Sequence, residues 1–241
     1  NGTVVLYYAQ VQTGTPTYSA ATMTYNNTTD MAETTITIDS NKVGTMTYYI
    51  TATDLSNNTE TSTPTTIVPV TDNDAPANIA TLTATPDTAK TKNIILTATI
   101  PADNVSASNT LTYEIYRGTV QEFDANAQTN ITATVTVTID TSTGKFTGTD
   151  TDNTKTEGQL YYYQVLAIDE AGNKSTISNR PSATVNDITK PTIINITHTP
   201  ATATTGDPLT VSAKVTDNVI DMLNGTVVLY YAQVQTGTPT Y

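Results

Sequence analysis

Short runs in which apolar and polar residues alternate recur along the chain. In residues 131–139 Thr alternates with Ala or Val, which predicts a strand with one solvent-exposed face. Residues 4–8, residues 111–116 and residues 160–168 are richer in apolar and aromatic side chains, which predicts inner strands. Turn-forming clusters separate these runs, at residues 26–28, 85–87, 141–144 and 170–173. Many short strands between such turns predict an all-β protein made of β-sandwiches.

The sequence of residues 1–18 occurs again, without a change, as residues 224–241, which gives a period of 224 − 1 = 223 residues. We interpret the chain as one period of a longer tandem array, and a duplicated tag is the alternative. The second copy predicts a second strand at residues 227–231. We therefore expect a native polypeptide or polymer far longer than 241 residues. It is either one continuous chain, which the duplicated strand favours, or an assembly held by strand donation between subunits.

A weaker repeat lies inside this period. Residues 158–173 align with residues 44–58 when Tyr163 is placed on Tyr48, and Asp169 then falls on Asp54. Upstream, the apolar positions of residues 94–100 match those of residues 209–215. The repeat predicts two related domains in each period. Residues 1–74 are the C-terminal part of an immunoglobulin-like domain without its first strands, residues 75–187 are a second domain, and residues 188–241 are the first strands of the next immunoglobulin-like copy.

The second domain carries a family resemblance. The alternating run from Tyr161 through Val165 to Asp169 resembles the F strand and FG turn of a fibronectin type III domain, and residues 113–117 resemble its C strand. The resemblance implies that Tyr161 is the tyrosine-corner residue, with its hydroxyl bonded to the backbone, and that Val165 lies in the core. Ala98 stands where the family usually has Trp, which implies a thinner core.

The first domain resembles a different class. Met46 stands at the position that aligns with Tyr161, and this domain resembles a generic immunoglobulin-like repeat of prokaryotic surface proteins. The high content of Thr and Asn, together with many glycosylation sequons, is similar to archaeal cell-surface proteins. These resemblances imply a fold but no particular activity, because such sandwiches host unrelated functions.

Composition narrows the function classes. Thr accounts for 58 of the 241 residues, and this β-branched side chain suits a half-solvated sheet surface. The net charge of −12 argues against nucleic acid as a partner. We expect no membrane span and no signal peptide in this segment. The chain has no Cys, and its single His, His198, lies in an alternating run, so we expect neither a catalytic triad nor a zinc site and no enzymatic activity.

Sequons for N-linked glycans are frequent. In an exported protein the Asn of an Asn-x-Ser/Thr sequence can accept an oligosaccharide, most readily in an exposed turn. We expect glycans at Asn26 or Asn27, at Asn57 and at Asn173, whereas Asn195 lies inside an alternating strand and is a weaker acceptor. The complete set of candidate acceptors is Asn1, Asn26, Asn27, Asn57, Asn104, Asn130, Asn173, Asn195 and Asn224.

Acidic residues cluster at two predicted linkers. In a tandem of such sandwiches the linker that leaves one domain meets the BC and FG loops of the next. Calcium takes about 6–8 oxygen ligands, so we expect calcium, as the only cofactor, to stiffen both junctions; the alternative is that these Asp residues only cap turns. The first linker resembles the calcium-binding linker of cadherins. The candidate ligands are Asp72, Asp74, Asp103 and Asp169 at the first junction, and Asp187, Asp217 and Asp54 at the second.

These observations together predict a structural repeat of an extracellular fibre, stalk or surface-layer protein, whose partners are further copies of itself. Two alternatives stay open. One is an adhesin that binds glycans or a host protein, and the other is a spacer in a secreted polysaccharide-degrading enzyme. Adjacent tyrosines at residues 7–8, 48–49 and 161–163 place rings on both faces of their strands. The outward rings could stack on sugars, pack between domains or form cross-strand ladders.

Overall fold

A computed structural model describes residues 2–122, 129–219 and 225–233 of the chain. Within these residues the regular structure is antiparallel β-sheet, apart from a short 3-10 turn at Thr132–Thr134. No helix in this part of the chain is long and apolar enough to cross a membrane. The prediction of an all-β fold is confirmed, and the second domain is a complete β-sandwich.

The first domain contains one five-stranded sheet and a small hairpin. Its strands are β1 (Thr3–Val11), β2 (Ser19–Thr22), β3 (Thr24–Asn26), β4 (Met31–Glu33), β5 (Gly44–Thr53), β6 (Thr59–Thr61) and β7 (Thr65–Val70). The sheet has the order β2-β1-β5-β6, with β7 also paired to β5, while β3 and β4 pair only with each other. The centre of the sheet is the β1–β5 pair, in which Leu6 lies opposite Ile50 and Tyr7 lies opposite Tyr49.

One face of this sheet carries a tyrosine ladder. The rings of Tyr7 and Tyr49 stack with centroids 4.8 Å apart, and Tyr18 meets Tyr49 edge-on at 4.9 Å. Tyr7 and Tyr49 are directly opposite each other on neighbouring strands, where side chains stand close enough for aromatic pairing. Of the three roles considered for paired tyrosines, the cross-strand ladder is the one formed at this position.

The second domain is a sandwich of two four-stranded sheets. Its strands are β8 (Thr83–Pro86), β9 (Ile94–Thr99), β10 (Thr112–Gly118), β11 (Thr129–Asn130), β12 (Val135–Asp140), β13 (Lys145–Asp150), β14 (Leu160–Ile168) and β15 (Ser182–Thr184). One sheet has the order β12-β13-β9-β8 and the other the order β11-β10-β14-β15. Their inner faces form one core, in which Leu96, Phe146 and Val165 are fully buried. Period-two alternation therefore separates core from surface, as the sequence predicts.

Two expectations from the fibronectin type III resemblance are confirmed. The Tyr161 hydroxyl accepts a hydrogen bond from the backbone N–H of Thr156 at 3.1 Å, which ties the start of β14 to the preceding loop. Val165 is fully buried in the core. Near the buried Ala98 the core is filled by two rings, Tyr113 and Phe146, whose centroids lie 4.6 Å apart.

The strand predicted at residues 131–139 begins later than expected, at Val135. Residues 132–134 form the 3-10 turn instead. The Asn130 carbonyl oxygen Oδ1 accepts hydrogen bonds from the backbone N–H of Thr132 at 2.9 Å and from its hydroxyl at 2.6 Å. This local side-chain bonding competes with extension of the strand, which alternation alone does not reveal.

After the second domain the chain forms a hairpin of β16 (Thr192–Thr199) and β17 (Thr210–Thr216). His198 lies in β16, opposite Val211. The duplicated segment that follows is described at residues 225–233, and it contains no strand there. The predicted strand at residues 227–231 is therefore wrong for this structure. Its first copy is a strand because β5 and β2 pair with it, and no strand in the described part of the chain pairs with the second copy.

Candidate functional site: the acidic junction

Three carboxylates meet where the linker after β7 reaches the second domain. Asp72 comes from the linker, Asp103 from the loop after β9, and Asp169 from the turn after β14. One carboxylate oxygen from each residue lies within 4.8 Å of the corresponding oxygens of the other two. The structure thus brings together three of the four acids that the sequence assigned to this junction.

Local turn chemistry holds two of these acids in place. The Asp103 oxygen Oδ1 accepts the backbone N–H groups of Val105 at 2.9 Å and Ser106 at 2.6 Å. Asp169 accepts the backbone N–H of Asn173 at 2.7 Å, and the turn between them closes through Gly172, whose φ of +93° favours glycine. Sequence spacing in two tight turns therefore fixes where these carboxylates point.

Two oxygens of the cluster have no hydrogen-bond partner. The Asp72 oxygen Oδ2 and the Asp103 oxygen Oδ2 are both buried, and neither is bonded to any of the residues that the structure describes. A buried carboxylate oxygen without a donor is costly, and neighbouring negative charges add repulsion. A cation with oxygen ligands would satisfy both oxygens at once, and calcium prefers such ligands. The residues present therefore fit a calcium ion, with Asp72, Asp103 and Asp169 as its carboxylate ligands.

The fourth predicted ligand, Asp74, is used differently. Its oxygen Oδ2 accepts a hydrogen bond from the Asn104 side-chain amide at 3.2 Å, and the same amide donates to the Ser40 carbonyl of the first domain. The Asn173 amide donates to the linker carbonyls of Asp72 at 3.3 Å and Asp74 at 3.2 Å. Two asparagines of the second domain thus fasten it to the linker and the first domain.

Sequence reasoning missed these asparagine anchors and assigned both residues only as sequons. A usable signal exists, because each anchor has a fixed distance from an acidic turn residue. Asn104 follows Asp103 directly, as Asn218 follows Asp217, and Asn173 follows Asp169 by four residues, as Asn58 follows Asp54. Each of these two spacings occurs twice in the chain, which marks the asparagines as parts of the turns.

The second junction brings together a different set of residues. Asp187 and Asp217 lie there as predicted, and Glu157, which the sequence did not single out, joins them. Burial raises the pKa of Asp187, and the nearby charge of Asp217 adds to this shift. Hydrogen bonds from Asn218 and Thr189 lower the pKa of Glu157 to about 2, with smaller help from Lys92 at 3.3 Å.

Asp54 is not part of this junction within one chain. It lies in the turn after β5, where its oxygen Oδ1 accepts the backbone N–H groups of Ser56 and Asn58, both at 2.8 Å. Among the described residues the only cluster of three metal-ligating side chains is the one at the first junction. The calcium assignment of Asp54, Asp187 and Asp217 stays a prediction for an array of copies.

Calcium is expected to bind the first junction of the metal-free chain and to raise its melting temperature. The ion would relieve the repulsion among the three carboxylates and occupy the two unbonded oxygens. Calorimetric titration with calcium chloride measures the binding, and scanning calorimetry measures the shift. Asp103→Asn is expected to weaken binding about tenfold or more, whereas Asp207→Asn, in the exposed turn of the β16–β17 hairpin, leaves it unchanged. Absence of binding heat and of any melting shift would show that these acids only cap turns.

The candidate glycan acceptors fall into two groups by their surroundings. The described acceptors with exposed side chains are Asn26, Asn27, Asn57, Asn130 and Asn195. Asn104 and Asn173 are half-buried, and their amides are held in the junction bonds described above. Asn1 and Asn224 lie outside the described residues. Sequence position alone placed Asn173 among the best acceptors, and its surroundings make it a poor one.

Glycans are expected on Asn26 or Asn27 and on Asn57 of the native protein, and not on Asn104 or Asn173. A glycan on the nitrogen of either junction amide would displace a donor that the linker needs. Peptide mass mapping of native material, before and after enzymatic deglycosylation, reads the occupancy of each site. Occupied Asn173 together with bare Asn57 is the pattern that contradicts this assignment.

Comparison with known proteins finds no matching protein-family model and no matching curated protein. Among solved structures, the FN1–FN3 domains of chicken CNTN1 are similar at 14% identity and a TM-score of 0.35, covering 81% of this chain and 62% of that one. A tetra-tandem repeat from the extending region of a large adhesion protein is similar at 14% identity and a TM-score of 0.33, covering 89% of this chain and 55% of that one. The chain thus spans less than two thirds of the length of both structures.

Proposed function

We propose that the chain is a structural repeat of an extracellular fibre, stalk or surface layer, in which sandwich domains follow one another head to tail. The proposal assigns it no reaction. Its partners are further copies of the same repeat, and its task is to set the reach and the stiffness of the assembly. The 223-residue period supports an array, because an identical 18-residue segment then recurs at the start of each repeat.

The observation that carries this proposal is the bonded junction between the first and second domains. A flexible linker between independent domains would leave its carbonyl groups to water. Here the Asn173 amide binds two linker carbonyls, and Asn104 bridges the linker to Ser40 of the first domain. Both anchors lie on loops of a rigid sandwich, so they hold the linker in one direction. A repeat that fixes the angle between its domains suits a load-bearing or spacing role.

Replacement of Asn173 by Ala is expected to loosen this junction. The variant loses both amide contacts to the linker, so small-angle scattering of the monomeric chain should show a broader distribution of interdomain distances. Asn58→Ala is the matched control, because it removes the same asparagine from the same kind of turn in the first domain, where its amide binds Asp54 at 2.8 Å. Equal scattering curves for the Asn173 variant and the unaltered chain would contradict a stiff junction.

The extracellular role has its own test in native material. Antibodies raised against the 241-residue chain should label a filament or a surface coat on intact cells in immunogold electron microscopy. Label confined to the cytoplasm of sectioned cells would overturn the proposed location and function.

Glycan binding is a second candidate, favoured by the tyrosine ladder on the first sheet. Tyr7 and Tyr49 are partly exposed and line a shallow groove together with Thr61 and Pro64. Tyr18 is also partly exposed and meets the ring of Tyr49 edge-on. Aromatic faces with polar edges are suited to stacking on sugar rings. A glycan array probed with the chain and with a Tyr18→Ala variant tests this candidate, and equal signals from both proteins exclude the ladder as a binding surface.

A further inference from the structure

The β16–β17 hairpin presents an uncovered apolar face. Ile193, Leu209 and Val211 are 55%, 54% and 38% exposed, although their side chains belong to an alternating pattern typical of a buried face. Lys214 and Ser212 occupy the intervening positions of β17, so the two faces of β17 differ in polarity. In β16, His198 lies on the same face as Val211, and Ile194 lies on the face of Lys214. An isolated two-stranded hairpin is marginally stable in water, and this one needs a cover for its apolar face.

The second domain shows what covers such a face. Residues 209, 211 and 213 repeat the pattern of residues 94, 96 and 98 in β9. Ile94 and Leu96 are fully buried, because β9 packs across the sandwich from the β10–β14 sheet. The cover for β17 is therefore expected to be a sheet like the one formed by β10 and β14.

The first domain contains such a sheet with its inner face only half covered. Tyr48 and Ile50 of β5 align with Tyr163 and Val165 of β14, which are fully buried, yet both residues of β5 are only half-buried. The pair of Leu6 and Ile50 corresponds to the pair of Ile115 and Val165 across the central strands of the second domain. The two exposed faces of the chain thus correspond to the two halves of the sandwich in the second domain.

A strand edge is also available in the first domain. Residues 34–39 precede β5 as β13 precedes β14, and they form no strand. Within them Thr and Ile alternate over residues 35–38. In the second domain β13 pairs with β9 over six residue pairs. Residues 34–39 are therefore in the position to pair with β17 as β13 pairs with β9. Ile38 is half exposed at this edge, as expected for a position that faces a partner.

The loops at the end of the sheet match in the same way. The turn from Asp54 to Asn58 has the hydrogen bonds of the turn from Asp169 to Asn173, including an asparagine amide bound to the aspartate at 2.8 Å in both. Asn173 also binds the linker that leads into β8, whereas no such bond of Asn58 occurs in the described part of the chain. The linker that leads into β16 contains Asp187, as the linker that leads into β8 contains Asp72.

We infer that the β16–β17 hairpin of one chain covers the open sheet face of the first domain in a second copy, with β17 pairing to residues 34–39. The Asp54–Asn58 turn of that copy then meets the linker at Asp187, as Asp169–Asn173 meets the linker at Asp72. The two surfaces are different, so each chain can bind one copy at each end, and the contact is heterologous and open-ended. This inference rests on the proposed array and names the surfaces that join its repeats.

The 241-residue chain itself tests this contact. Light scattering after size-exclusion chromatography should show a series of oligomers that lengthens as concentration rises. Val211→Asp places a charge on the apolar face and is expected to raise the dissociation constant about 100-fold or more. Ser212→Asp, on the opposite face of the same strand, leaves assembly unchanged. A chain that stays monomeric at about 100 µM, or that assembles equally well with Val211→Asp, overturns the inference.

Mixing two variants tests the pairing of the surfaces. Val211→Asp retains the sheet face, and Ile50→Asp retains the hairpin, so neither assembles alone but the mixture should stop at a dimer. Hydrogen exchange of the β1 and β5 amides checks that the Ile50→Asp variant is folded. If it is not folded, the comparison of Val211→Asp with Ser212→Asp still tests the contact. Longer oligomers in the mixture would show a different interface. If the chain does not assemble but antibodies label the surface of intact cells, this inference is overturned and the proposed function is not.

Discussion

Replacement of Asp150 by Ala is expected to destabilise the second domain by about 3–5 kcal/mol of unfolding free energy. Asp150 ends β13 and is fully buried. Its oxygen Oδ2 binds Arg117 at 2.8 Å and accepts the Tyr163 hydroxyl at 2.9 Å, and its oxygen Oδ1 lies 3.0 Å from the Lys155 ammonium. Removal of this single carboxylate leaves the buried Lys155 ammonium and the buried Tyr163 hydroxyl without their common partner, and it leaves the half-buried Arg117 with Asp152 alone.

Lys155 explains why the effect should be large. Its side chain is fully buried, and its ammonium group also donates to the backbone carbonyls of Asp150 at 3.1 Å and Asp152 at 2.7 Å. Burial lowers the pKa of Lys155 and raises the pKa of Tyr163. A charged lysine in this position depends on the Asp150 carboxylate, because water does not reach it.

Hydrogen exchange of the β13 and β14 amides, combined with urea denaturation, measures this loss within the second domain. Asp140→Ala is the matched control, since Asp140 ends the neighbouring strand β12 in an exposed turn, where it binds Ser142 and Thr143. The control should lose far less stability than the Asp150 variant. Equal losses in the two variants would mean that the buried charges do not hold the sandwich together.

Leu6→Ala is expected to lower the stability of the first sheet by about 2–4 kcal/mol, whereas Leu229→Ala should change it by less than about 0.5 kcal/mol. The two leucines occupy the same position of the duplicated 18-residue segment. Leu6 is 9% exposed in β1, opposite Ile50, while Leu229 is 59% exposed in a stretch without a strand. The cost of truncation depends on the contacts that the side chain loses, so identical sequence gives unequal results.

Hydrogen exchange of the amides in β1 and β5 measures the stability that the first sheet loses in each of the two variants. The comparison needs no correction for helix or strand propensity, because the neighbours in sequence are identical. A large loss from Leu229→Ala would mean that the second copy is also packed as a strand in solution.

Much of the fold follows from local pattern. The alternation in residues 160–168 predicts a strand that matches β14 in both ends, and the strand predicted at residues 111–116 overlaps most of β10. Alternation works here because a strand with one buried face repeats every two residues. It fails at residues 131–134, where Asn130 bonds to Thr132 and replaces extension by a turn.

The candidate site was predictable in part. Placing three acids at the first junction needs only the order of the strands and loops in a sandwich, which the resemblance to fibronectin type III domains implies. The unbonded oxygens of Asp72 and Asp103, and the use of Asp74 by Asn104, depend on distances between loops far apart in sequence. The Asp150 network was missed for the same reason, since Arg117 is 33 residues away along the chain.

The duplicated segment separates what the sequence determines from what only the tertiary structure decides. The sequence by itself determines the strand tendency of residues 3–11, the period of 223 residues and the division into faces. Whether that tendency produces a strand depends on a neighbour, because the backbone groups of a strand are satisfied only by another strand. Residues 3–11 have β5 and β2 beside them and form β1. Residues 226–233 repeat the same side chains, have no neighbouring strand within the described part of the chain, and form no strand.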